Sequence, residues 1–204
     1  MSMESYIHLA RAPAPGMPIV FSFHGTGGDE HQFPGLIGQI LPGAGIVSPR
    51  GDVSEHGANR FFRRTAEGVY DMADLAERSR KMAGFIRAHR AAQPGVPVWG
   101  LGYSNGANIL AAVLFQAPDL FDRAVLMHPL IPFAPAPQPG LRGLPVLITA
   151  GRRDPICPLP ETEALRDYLA AQGAQVDLAL HEGGHEIRPE ELQRVAAVLQ
   201  RGVA

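Results

Sequence analysis

The chain predicts an α/β class fold, with a mostly parallel central sheet and helices on both of its faces. Three observations predict it. Short apolar runs take turns with stretches of helical periodicity along the whole chain. The runs are continuous rather than alternating, as in strands buried on both faces. Each run stops at glycine, proline or polar residues. That puts those residues at the carboxyl ends of the strands, where such sheets bind ligands.

Taken in order, Met17–Phe23 is the first apolar run, stopped by His24-Gly25-Thr26-Gly27-Gly28. Phe33, Leu36, Ile37, Ile40 and Leu41 recur at helical spacing, with Pro34 and Gly35 near the start. Gly45–Ser48 is the next strand, closed by Pro49-Arg50-Gly51. Met72 to Arg90 is the longest amphipathic stretch. Met72, Leu75, Met82, Phe85 and Ile86 are its apolar positions, and Gln93-Pro94-Gly95 marks its end. Val96–Trp99 is apolar again, and Ala107–Phe115 reads as a buried helix. Ala124–Met127 is a strand ending in His128-Pro129, and Leu144–Ala150 a strand ending in Gly151-Arg152-Arg153-Asp154. Glu161–Gln172 is a helix closed by Gly173, and Gln175–Leu180 a strand that runs into His181-Glu182-Gly183-Gly184-His185. Pro189 to Leu199 is the last helix, with Pro189 in its first turn. No repeat or linker breaks the series, so 204 residues are expected to form one domain over 1–204.

Composition narrows the partners. A net charge of −2 with 19% charged residues offers no basic surface to nucleic acid. All 18 basic residues except Lys81 are arginine, which reads as compositional bias. The first six residues carry Glu4 and no apolar core, so no secretory signal is expected, and no apolar run approaches membrane-spanning length. Cys157 is the single cysteine, which excludes an internal disulfide and fits a reducing, cytoplasmic compartment.

The chemistry concentrates at residues 100–110, Gly-Leu-Gly-Tyr-Ser-Asn-Gly-Ala-Asn-Ile-Leu, between a strand and a helix. Gly102-x-Ser104-x-Gly106 in that context is the nucleophile-elbow pattern. A sharp turn projects the hydroxyl, and side chains two positions either side would strike neighbouring backbone. Asp154 and His185 follow at later strand ends, in the chain order Ser, Asp, His that elbow-type hydrolases use.

The chain resembles the phospholipase/carboxylesterase family of the α/β-hydrolase superfamily, the small bacterial carboxylesterases related to acyl-protein thioesterases. The resemblance is carried by residues 24–30 (His-Gly-Thr-Gly-Gly-Asp-Glu), Pro49-Arg50-Gly51, Arg60-Phe61-Phe62-Arg63-Arg64, residues 102–108, Gly151 to Pro155 and Gly183-Gly184-His185. The elbow alone is specific only to the superfamily. Together with the Arg-Phe-Phe-Arg-Arg stretch it points to a narrower bacterial subgroup. In the thioesterase branch glutamine usually follows the nucleophile. Asn105 stands there instead, which weighs against a depalmitoylating role.

The resemblance implies an α/β-hydrolase fold and a serine carboxylesterase. Ser104 would be the nucleophile, His185 the base and Asp154 the residue that orients the imidazole. The backbone N–H groups of Thr26 and Asn105 would form the oxyanion hole. Each residue has a plainer reading. Asp154 precedes Pro155 and could start a turn. His181 competes with His185, but at the strand end it is expected to pack or cap. His24, before Gly25, is expected to order the oxyanion loop. His128 stays open between lining the site and merely lying near it. His181 and His185 span a strand end and a Gly-Gly turn rather than a helix, so no metal and no cofactor is expected. Cys157 reads as a small buried residue. Arg60, Arg63 and Arg64 read as structural or solvated, with Glu67, Asp71 and Asp74 as natural partners.

Between His128 and Gly143 lie five prolines, too many for a helical cap. The expectation is an open site without a lid domain, its acyl wall including Leu130, Ile131 and Phe133. Such a site suits small to medium acyl esters. A thioesterase or lysophospholipase with the same triad is the alternative, and a non-catalytic binder of this fold is a third reading. A true dienelactone hydrolase is disfavoured, because those relatives normally carry cysteine where Ser104 stands. Activity is expected to rise as His185 loses its proton. The oligomeric state stays open between monomer and homodimer.

Overall fold

A computed structural model describes residues 2–203; Met1 and Ala204, the ends of the expected domain, lie outside the described residues. The first part of the chain forms β1 (His8–Arg11), β2 (Ile19–Phe23), α1 (Pro34–Ile40) and β3 (Gly45–Pro49). Four short strands follow, β4 (Val53–Glu55), β5 (Ala58–Arg60), β6 (Arg64–Ala66) and β7 (Val69–Tyr70). The rest comprises α2 (Met72–Ala92), β8 (Val98–Tyr103), α3 (Asn105–Gln116), β9 (Arg123–Met127), β10 (Pro145–Gly151), α4 (Leu159–Ala171), β11 (Gln175–His181) and α5 (Pro189–Leu199).

Seven strands make one sheet in the order β1-β3-β2-β8-β9-β10-β11. All pairs are parallel except β1 with β3, at the edge. The order reverses between β2 and β8, and a crevice opens beyond their carboxyl ends. This is the mostly parallel, helix-covered sheet that the alternating pattern predicts, in the α/β-hydrolase arrangement that the resemblance implies. Strand pleating sends alternate residues to opposite faces. Phe21, Phe23 and Val98 join α2, α3 and α4 in one core cluster, while Val20, Trp99 and Leu101 join α1 and α5 in the other. Helix α2 starts on Asp71, whose carboxylate accepts from the Asp74 N–H at 3.0 Å. Its apolar stripe of Leu75, Met82, Phe85 and Ile86 is buried.

Two expectations need adjusting. Strand β8 runs on through Gly100 and Gly102, which no apolar periodicity marks. Glycine is there because the helix above lies close: a Cβ on Gly100 would come within 2.8 Å of Leu110. The edge strand β1 and the two hairpins, β4 with β5 and β6 with β7, were not expected from the sequence. Strands of two to four residues, half in solvent, carry too few side chains to show a period. The proline-rich segment forms only a 3₁₀ turn at Pro139–Leu141 and no helical cap. Among the described residues, no helix is long and apolar enough to cross a membrane.

Candidate active site

Ser104 sits between β8 and α3 with φ +52° and ψ −120°, a backbone region that side chains rarely occupy. Its own N–H donates to the Met127 carbonyl at 2.9 Å. The flanking glycines are required by contact. A Cβ on Gly106 would land on the carbonyl oxygens of Phe23 and His24, and one on Gly102 would strike the backbone of Gly106 and Ala107.

Three loops converge on this turn. Ser104 Oγ lies 2.9 Å from His185 Nε2, and His185 Nδ1 lies 2.8 Å from Asp154 Oδ2. The other carboxylate oxygen, Oδ1, accepts from the N–H groups of Ile156 and Cys157 at 2.8 and 2.9 Å. Burial pushes the Asp154 carboxyl up, but hydrogen bonds from His128, His185 and these two N–H groups hold it well below the usual range. The His185 loop is tied to the turn after β10 by the Arg153 N–H on the Gly183 carbonyl, and to β8 by the Tyr103 hydroxyl on the His185 carbonyl at 2.7 Å. Gly151 permits this approach, since a Cβ there would overlap the carbonyls of Gly183 and Gly184.

The loop after β2 closes the other side. His24 donates from Nδ1 to the Gly25 carbonyl at 2.7 Å and accepts the Gly51 N–H on Nε2 at 2.9 Å, so it braces the loop as a neutral ring. Burial is the main cause that lowers its pKa. The N–H groups of Gly25, Gly27 and Gly28 go to Gln32, Asn59 and Gly25 in turn. Thr26 is exposed beside Ser104, and its hydroxyl accepts from Arg60 Nη1 at 2.8 Å. Asn105 is the first residue of α3, so its N–H has no acceptor within the helix. Its side-chain oxygen accepts the Phe61 N–H at 2.8 Å and locks the elbow to the Arg60–Arg64 stretch.

A pocket of about 270 Å³ opens on Ser104, Asn105, Thr26 and His185. Its polar lining adds Arg60, Arg64, Glu67 and Tyr70; its apolar lining adds Leu130, Ile156 and Cys157. Of the expected acyl wall only Leu130 belongs here. Ile131 and Phe133 are a correction: they line a separate groove with Leu165 and Tyr168. The Leu130 N–H is held by Asn108 Oδ1 at 2.7 Å, and the Leu130 carbonyl accepts the Tyr70 hydroxyl at 2.7 Å. Beyond that anchor Phe133 packs on Phe115 of α3, away from Ser104. The arginines are paired: Arg64 with Glu55 and Glu67, Arg63 with Asp71 and Asp74, while buried Arg60 reaches Thr26 and the Phe62 carbonyl. Cys157 is buried and donates from Sγ to the His128 carbonyl, and burial pushes its thiol well up.

Behind Asp154 lies a buried group made of His128 and His181, which the sequence singles out, and of Thr149 and Glu191, which it does not. His128 Nδ1 is 2.9 Å from Asp154 Oδ2, the oxygen that also faces His185. His128 Nε2 is 3.3 Å from Glu191 Oε2, and the Thr149 hydroxyl donates to Glu191 Oε1. His181 is packed alongside, as expected, its Nδ1 accepting the Gly183 N–H at 3.0 Å. His128, His181 and Glu191 are close enough to share a cation, but their hydrogen bonds argue otherwise. With Nδ1 accepting, His181 keeps its one proton on Nε2, where a ligand lone pair would be needed. A threonine inside an apolar strand and a glutamate in the first turn of α5 were the available signals. Each has an ordinary surface explanation, and only the fold brings them together.

Comparison with known proteins identifies relatives of the chain. The profile of the Dienelactone hydrolase family matches residues 58–187. The Bacillus subtilis (strain 168) protein MhqD, named as a hydrolase, is 39% identical over 180 residues, 86% of this chain and 89% of that one. Among solved structures, a protein of unknown function from Agrobacterium tumefaciens is 56% identical, with TM-score 0.90 and 98% of both chains covered. A carboxylesterase from Bacillus cereus is 33% identical, with TM-score 0.89, covering 96% of this chain and 94% of its own.

Proposed function

The chain belongs to the dienelactone hydrolase family and is a hydrolase, and from that premise we propose that it is a serine carboxylesterase acting on small to medium acyl esters. The observation that carries the reading is the unbroken hydrogen-bond line from Ser104 Oγ through His185 to Asp154, at 2.9 and 2.8 Å, on a strained strand-to-helix turn. Members of this family with the dienelactone chemistry normally place cysteine at the elbow, so Ser104 favours an ordinary ester over that lactone.

In this mechanism Ser104 Oγ attacks the ester carbonyl carbon while its proton passes to His185 Nε2. Asp154 keeps the Nδ1–H tautomer and stabilises the imidazolium. The N–H groups of Asn105 and Thr26 meet the carbonyl oxygen as it gains charge. Collapse expels the alcohol, which takes the proton from His185, and leaves an acyl group on Ser104. Water, deprotonated by His185, then attacks the acyl carbon, and His185 returns that proton to Ser104 Oγ as the acid leaves. The pocket of about 270 Å³ lies near the lower limit for ligand sites, which supports compact acyl groups. Hydrolysis of p-nitrophenyl esters from acetate to palmitate tests the reading. Rates should fall beyond medium chains, and Ser104→Ala should remove at least about 10³-fold of the activity. A preference for long chains would move the assignment to a lysophospholipase or thioesterase. No turnover of any ester by folded protein would overturn it.

A further inference from the structure

We propose that His128 is a positioning residue of the site, held as an imidazolium between Asp154 and Glu191, and that its charge governs how readily His185 takes up a proton. The inference rests on the serine-hydrolase reading above. Asp154 Oδ2 faces two ring nitrogens at once, His185 Nδ1 at 2.8 Å and His128 Nδ1 at 2.9 Å. An ionised oxygen accepts from both, so both rings carry a proton on Nδ1. For His185 that leaves Nε2 to receive the Ser104 proton. For His128 it leaves Nε2 facing Glu191 Oε2 at 3.3 Å, and a bare lone pair there would be repelled by the carboxylate.

Everything else bonded to Glu191 donates. The Arg188 N–H lies 3.2 Å from Oε2 and the Thr149 hydroxyl donates to Oε1; His181 Nε2, at 3.6 Å from Oε2, is a neighbour beyond hydrogen-bond distance. An acceptor surrounded by donors is ionised. Asp154 and Glu191 are thus two buried carboxylates, their side chains at most 1% exposed. Among the described residues no lysine or arginine side chain bonds either of them. His128, fully buried between the two, is the group placed to supply the cation. Burial pulls its pKa down, but hydrogen bonds to the two carboxylates outweigh this and lift it to about 9. The other polar groups facing it are Tyr103 from β8, Cys157 on its carbonyl, the His185 ring, and His181 from β11, whose Nε2 lies 3.4 Å from His128 Nε2 and is directed with it toward Glu191 Oε2. None of them is an anion at neutral pH. His128 follows β9 with its backbone at φ +50°, a strained conformation for a non-glycine residue. That turn swings the ring under Asp154.

The consequence for catalysis follows from charge. The His128 and His185 ring centroids are 5.2 Å apart, so a cation on one opposes a cation on the other. A positive His128 therefore works against the imidazolium that His185 becomes as it takes the Ser104 proton. Replacing it as His128→Gln removes the cation and lets Glu191 take a proton. The nearer charge dominates, so the acid limb of the kcat/KM profile should move up by about one pH unit.

Two measurements test this. In ¹⁵N-labelled protein at pH 7.5, one histidine should show both ring nitrogens protonated. It is assigned by its loss in His128→Gln or, should that variant not fold, by its change in Glu191→Gln. Separately, the acid limb is compared between wild type and His128→Gln, with fluorophosphonate labelling of Ser104 as a control. A neutral His128 at pH 7.5, or an acid limb that does not move in a folded variant whose Ser104 still labels, overturns the inference. Loss of Ser104 labelling in the wild type would instead sink the serine-hydrolase reading.

Discussion

Ser104 takes its strained φ of +52° because Gly102 and Gly106 let the strand, the turn and the helix pass at backbone distance. That logic was legible in the sequence, since the spacing of the glycines states the requirement. Gly106→Ala should therefore cost about 1–3 kcal/mol of stability and at least about 100-fold in ester turnover, read by thermal unfolding and kcat/KM. Thr26 makes the opposite prediction. Only its backbone N–H is assigned to the oxyanion, while its hydroxyl serves Arg60. Thr26→Ala should keep kcat within about tenfold of wild type; a loss of 10²–10³-fold would mean that the hydroxyl itself does the work. His128 was not legible in the same way. A histidine before a proline at a strand end says nothing about sharing Asp154, because the carboxylate lies 26 residues away and Glu191 lies 63 away.

At the scale of elements, the long strands and helices followed from periodicity, and the chain order Ser, Asp, His matches their places after β8, β10 and β11, at one edge of the sheet. The failures lie where an element is short or has no periodicity. Strands β4 to β7 have two or three residues each, yet they carry Arg60 and Tyr70 to the pocket. The proline-rich segment was correctly read as lacking a cap, but its direction could not be read. Leu130 is caught by Asn108 and Tyr70, and that anchor turns Ile131 and Phe133 away from Ser104. The stretch around Arg63 depends on α2, since buried Asp74 accepts the Arg63 N–H at 2.7 Å and Asp71 caps the helix. Asp71→Ala should lower stability by about 1 kcal/mol in denaturant unfolding, because the cap is lost while Asp74 keeps the loop anchored.

For the whole molecule, the buried charges behind the site predict a pH dependence of stability. His128 has its pKa raised from 6.5 to about 9 in the fold, so its contribution is complete below about 6.5 and fades as pH rises toward 9. Asp154 and Glu191 are shifted down from 3.8 and 4.5, so theirs is present above those values and fades as pH falls below them. Thermal stability should thus be greatest between about pH 4.5 and 6.5, and His128→Gln should flatten the alkaline slope. The fold as a whole brings Thr26, Ser104 and His185 to one pocket beyond the carboxyl ends of the strands, with Asp154 buried behind His185.

The central claim is that Ser104, activated by His185, is the nucleophile. It is tested most directly by incubating the protein with a fluorophosphonate and locating the adduct by peptide mass spectrometry. One stoichiometric adduct on Ser104 is expected, absent in Ser104→Ala and slowed at least about 100-fold in His185→Ala. An unlabelled Ser104 in protein that still hydrolyses esters, or turnover that survives Ser104→Ala, would contradict it.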